Sequence, residues 1–165
     1  AELGSDVPFA MLGGTGLGLG PGEKLRGLPL SRTFRAMVVV PEWGVSTAEA
    51  FRQIDRNKNA LTRWASNLRS AQRLERGPVV PERAIRLGNS FEDVLGSQRG
   101  RFLTLRDRML AAGLESVRLS GSGSAVFGIL PRRMQSRVVS GRLGMNETVF
   151  VVRSERAGMQ FEVHP

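Results

Sequence analysis

The 165-residue chain has no cysteine. That excludes disulfides, thiolate metal sites and cysteine nucleophiles together, and it fits a cytoplasmic setting. Histidine is almost as scarce. The single one, His164, stands next to the last residue, where chains fray. A histidine-based catalytic site is therefore not expected, and a His-rich metal centre is excluded. No apolar run is long enough to span a membrane, and no secretory signal opens the sequence. The first residue is Ala1 rather than Met, which suggests an N-terminus further upstream. Lys24 and Lys58 are the only lysines among 24 basic residues.

What is present is arginine, glycine and an ordinary apolar fraction. The net charge of +9 favours anionic ligands. The arginines are scattered from Arg26 to Arg156, however, which suits a solvated surface better than a dedicated nucleic-acid face. Hydrophobic residues make up 41% of the chain, enough for one sizeable core with an appendage.

Leu12 to Lys24 reads LGGTGLGLGPGEK and invites a phosphate-loop reading, since crowded glycines can aim backbone N–H groups at an anion. The spacing argues against it. Glu23 separates Gly22 from Lys24, and Pro21 and Glu23 stand where a dinucleotide fingerprint needs its last glycine. Turns and bulges are the simpler account.

Residues 1–34 hold too few apolar side chains for a core of their own. From Ala36 the elements become legible. AMVVV, ended by Pro41, reads as a buried strand. Ser46 with Glu49 three residues on is a capping box opening a helix. Phe51, Ile54, Leu61, Trp64 and Leu68 share one face of that helix and are expected to pack on the core. A second helical stretch is expected over ERAIRLGNSFEDVL, and a third from about Arg101 to Ala112, stopped by Gly113. SVRL and AVFGIL read as strands, PRRMQSRVVSGRL as a helix with Pro131 in its first turn, and ETVFVV as a last strand. The order is β-α-β-β-α-β with extra helices in the first crossover, an α+β sandwich with an antiparallel sheet.

Three segments could carry chemistry. Asp6, before Val7-Pro8, is a candidate general base on a stiff turn; a plain turn cap is the simpler reading. LSGSGSAVFG, Leu119 to Gly128, places Ser120, Gly121, Ser122 and Gly123 between two strands. There, glycines can turn successive N–H groups toward one anion. Thr47 and Phe51, four apart on one helix, put a hydroxyl and a ring on the same side.

Taken in order, LGSDVPF with GG and GPGE, then PEWGVSTAEAF, then LSGSGSAVFG resemble the GHMP small-molecule kinases. The first stretch points to the branch acting on 4-diphosphocytidyl-methylerythritol. The resemblance covers nearly the whole chain. It implies a ferredoxin-like C-terminal domain over 35–165, with 1–34 as the tail end of the catalytic N-terminal domain. It implies ATP and Mg2+, and transfer of the γ-phosphoryl group to the substrate 2-hydroxyl. The resemblance further implies that Asp6 is the catalytic aspartate, that Thr47 stands near it, and that Phe51 stacks on the cytosine. It also implies that Ser120, Gly121, Ser122 and Gly123 border the phosphates. No metal-ligating residue is assigned. The family's Pro- and Ser-rich phosphate loop and its N-terminal lysine have no match here, Gly16 stands for a usual alanine, and Ser90 for an expected aspartate. The expectation is the C-terminal part of such a kinase, inactive without an N-terminal half. One rival is a GHMP kinase for homoserine or mevalonate. Another is a basic RNA-binding or regulatory module, for which Phe127 and Phe150 are too few sheet aromatics.

Overall fold

A computed structural model describes residues 7–19, 24–57, 69–143 and 147–156. A short helix, α1 (Val7–Leu12), leads into a hairpin of β1 (Thr15–Leu19) and β2 (Lys24–Leu28). The stretch after Asp6 is thus helical rather than a stiff turn. Pro8 fits there because the first turn of a helix needs no N–H from it. The hairpin buries Leu17 and Leu28 against Leu74 and Val79. This small cluster draws half its members from far along the chain, as the low apolar content of residues 1–34 requires.

The main body is a four-stranded antiparallel sheet in the order β4-β5-β3-β6. Its strands are β3 (Arg35–Val40), β4 (Glu115–Leu119), β5 (Val126–Leu130) and β6 (Thr148–Arg153). β3 is central, pairing with β5 and β6. Alternation decides its faces. Met37 and Val39 are fully buried against α4 (Arg99–Ala111) and α5 (Ser136–Leu143). From α4, Phe102, Leu105 and Met109 enter this core at steps of three and four, and Val139 and Leu143 enter it from α5. Each such side chain contributes about 1.5–3 kcal/mol of burial.

The stop of α4 follows from one residue. Gly113 adopts φ 101. Its N–H bonds to the Leu110 carbonyl, and Leu114 N–H to that of Met109, the paired closure that a left-handed glycine permits.

Other expectations need correction. ERAIRLGNSFEDVL is not one helix. It splits into α3 (Pro81–Ile85) and a 3-10 turn, Ser90–Asp93, because Gly88 at φ 87 breaks the run. The helix expected from Pro131 begins only at Ser136, after a turn in which Met134 N–H bonds to the Pro131 carbonyl. In α2 (Thr47–Arg56) the apolar stripe does not enter the core: Ala50 is buried while Phe51 is 55% exposed. Leu61, Trp64 and Leu68 lie outside the described residues.

Candidate functional site

The start of α2 meets the β4–β5 loop at one end of the sheet. Ser46 caps α2 by accepting from Glu49 N–H at 3.4 Å. That leaves Thr47 on the first turn, where its Oγ1 shares a 2.8 Å hydrogen bond with Ser122 Oγ. Two segments 75 residues apart in sequence are joined by this contact.

The loop is closed by Ser120 N–H to the Ala125 carbonyl and by Gly123 N–H to the Ser120 carbonyl. Gly121 and Gly123 both take positive φ, 56 and 98. A Cβ at Gly123 would press on Leu119 and Val45 at 3.3 Å, whereas Gly121 faces open space. The N–H groups of Gly121 and Ser122 make no hydrogen bond among the described residues. Unspent donors on a glycine-bent backbone form a concavity suited to an anion.

Phe51 stands one helical turn beyond Thr47. Its ring meets Phe91 edge-on, with centroids 5.0 Å apart. The two rings border an open groove of about 520 Å³, shared with Ile54, Ile85, Arg118 and Phe127. An exposed ring held by a second ring is a shelf on which a flat base can stack.

Sequence reasoning missed what ties groove to loop. Asn89 Nδ2 donates to the carbonyls of Leu119 and Gly121, at 3.0 and 2.7 Å, while its Oδ1 accepts from Phe91 N–H at 3.0 Å. Glu92 Oε1 accepts from Leu119 N–H at 3.0 Å, and its other oxygen lies 3.6 Å from Arg118. One short turn thus holds both the Phe91 ring and the loop. The available signal was an asparagine just before a turn, a capping position; it was hidden by assigning the stretch to a helix.

Gln53 and then Arg52 donate to the exposed Glu49 carboxylate, and these hydrogen bonds hold its pKa below the ordinary value. Asp6 lies outside the described residues. Among the described residues no cluster of acids and histidines could hold a metal ion, and no helix is long and apolar enough to cross a membrane.

Residues 49–143 match the family described as GHMP kinases C terminal. The chain is 36% identical over 147 residues to 4-diphosphocytidyl-2-C-methyl-D-erythritol kinase of Moorella thermoacetica, covering 87% of this chain and 50% of that protein. A crystal structure of 4-(cytidine 5'-diphospho)-2C-methyl-D-erythritol kinase superposes with TM-score 0.66 at 28% identity, over 92% of this chain and 54% of that one. A homoserine kinase from Cytophaga hutchinsonii superposes with TM-score 0.57 at 16% identity, over 92% of this chain and 51% of that one, which shows shared fold alone. The chain spans about half the length of the curated relatives it matches. With a matching segment that reaches from α2 into α5, it belongs to the GHMP kinase family.

Proposed function

We propose that this chain is the C-terminal, substrate-side part of an ATP-dependent kinase for the 2-hydroxyl of 4-diphosphocytidyl-2-C-methyl-D-erythritol. Such an enzyme serves the non-mevalonate route to isoprenoid precursors, in the cytoplasm. The observation that carries this reading is the contact of Thr47 with Ser122 beside the Phe51–Phe91 shelf. It supports reading a base-stacking surface and an anion concavity as parts of one small site. The identity to the Moorella enzyme supports the choice of substrate. The order β4-β5-β3-β6 supports the ferredoxin-like reading of residues 35–165. The separate Leu17 cluster supports treating 1–34 as the end of a preceding domain.

In this proposal Phe51 stacks on the cytosine. The N–H groups of Gly121 and Ser122, with the hydroxyls of Ser120 and Ser122, face phosphate oxygens, and Gly123 sets the bend. Thr47 orients Ser122 and stands near the transferred group. Asp6 accepts or orients the substrate hydroxyl proton, since phosphoryl transfer depends chiefly on positioning and charge. ATP supplies the phosphoryl group. Among the described residues no acid cluster could hold Mg2+. An N-terminal half completes the nucleotide site, and the chain alone does not turn over.

The test is titration of this chain with cytidine 5'-diphosphate and, separately, with homoserine. Saturable cytidine diphosphate binding, weakened about tenfold or more in Phe51→Ala, is expected from a stacking contribution of roughly 1–3 kcal/mol per base. Homoserine binding without cytidine diphosphate binding would move the reading to another GHMP kinase. Phosphorylation by this chain alone would overturn the dependence on a second half.

A further inference from the structure

The opposite end of the sheet carries an arrangement that the kinase reading does not use. Arg35 opens β3 and Arg153 closes β6, and the strand register sets them directly opposite each other. Cross-strand partners share a face, with Cβ atoms roughly 5 Å apart, and like charges so placed oppose folding. Among the described residues, neither Arg35, Arg153 nor the nearby Arg132 forms an ion pair.

These three arginines line one cavity of about 340 Å³, with Arg32 and two acids, Glu82 and Glu115. Arg32 is neutralised by its ion pair with Glu82. That leaves three guanidinium groups against the exposed Glu115, an excess of positive charge. The frame behind them is firm. Phe34 N–H donates to Ser154 Oγ, and Ser154 N–H donates to the Phe34 carbonyl, both at 2.9 Å. Arg35 is steadied by donating to the Met134 carbonyl at 2.8 Å, and its side chain makes no other hydrogen bond among the described residues. Apolar walls come from Ile129, Leu130 and Pro131.

We infer that this cavity is a second anion site, which takes a small phosphate-bearing molecule with at least two negative charges. A phosphate monoester or a diphosphate fits the charge excess. Guanidinium forks match phosphate oxygens in pairs, and the cavity volume lies in the range of small-molecule pockets. The length of β3 puts this site roughly 17 Å from the Ser-Gly loop, at about 3.3 Å per residue. One anion cannot occupy both.

The test uses inorganic pyrophosphate as probe on the full chain, followed by amide chemical shifts and by melting temperature. Arg132 and Arg153 are exposed, so Arg132→Gln and Arg153→Gln are expected to fold. Saturable shifts are expected at residues 32–35, 130–132 and 153, with a rise in melting temperature. Either variant should weaken binding about tenfold, the loss of one charge-assisted contact of roughly 1.4 kcal/mol. Arg101→Gln, which removes an exposed arginine outside the cavity, should leave it unchanged. Shifts confined to residues 120–124, unchanged affinity in both variants, or no saturation at about 0.15 M salt, where exposed charges are screened, would each overturn the site. Cytidine diphosphate binding at the other end is scored independently, so failure here leaves the kinase reading standing.

Discussion

The two ends of the four-stranded sheet present hydrogen-bond donors of different chemistry, and anion binding is proposed for both. At the Ser-Gly end the donors are backbone N–H groups and hydroxyls, held by Asn89 and Thr47. At the other end they are guanidinium groups crowded across strands. Neutral donors on a bent backbone are already aimed and respond weakly to salt. Clustered charges repel one another until an anion arrives, and exposed ones are screened within about 10 Å at moderate ionic strength. The comparison teaches that a basic composition need not mark the site where the chemistry is best organised.

A first way to break the comparison is to remove the body that holds both ends apart. Phe102 is 2% exposed in the core beneath the sheet. Phe102→Ala should cost about 3–5 kcal/mol, the range for a large buried ring replaced by a cavity. Urea unfolding monitored at either end should show the same loss. If only one end loosens, the ends are not parts of one cooperative unit.

A second substitution should separate the ends. Asn89→Ala leaves the carbonyls of Leu119 and Gly121 and the N–H of Phe91 without their side-chain partner. A loss of about 1–3 kcal/mol is expected. Hydrogen exchange should quicken over residues 119–124 and stay unchanged over 32–40. Equal quickening at both places would contradict a local role for Asn89.

The smallest effect concerns Glu49, next to the Thr47 turn. Its pKa is lowered chiefly by the Gln53 and Arg52 hydrogen bonds. A lowered folded pKa stabilises above the unfolded value, and the benefit is lost as pH falls through the folded one. The melting temperature of wild type relative to Glu49→Gln should therefore be highest near neutral pH and converge on acidification. The exposed position keeps the difference small. Divergence on acidification would mean that the sign is wrong.

Much of the frame was legible because it rests on short-range rules. The apolar runs of β3, β5 and β6, the Ser46 cap and the Gly113 stop each follow from neighbours within a few residues. The site was legible in its parts but not in its joints. Thr47, Phe51 and the loop glycines could be singled out by type and spacing; Asn89 offered only a capping signal and Glu92 none, because the loop they hold lies some 30 residues away. Phe51 shows the limit most clearly. Helical periodicity says only which residues share a face, and the stripe that looked like core leaves its ring 55% exposed.

By itself, then, the sequence determined many of the local elements, the chemistry ruled out by absent cysteine and a lone histidine next to the last residue, and the kinship to the GHMP kinases. The tertiary structure alone decided which ring stays exposed, which turn grips the Ser-Gly loop, and that Arg35 and Arg153, 118 residues apart, stand side by side. The reason is physical. Backbone propensity and capping act over one turn of chain, whereas strand order and register set contacts between segments whose meeting no local pattern encodes.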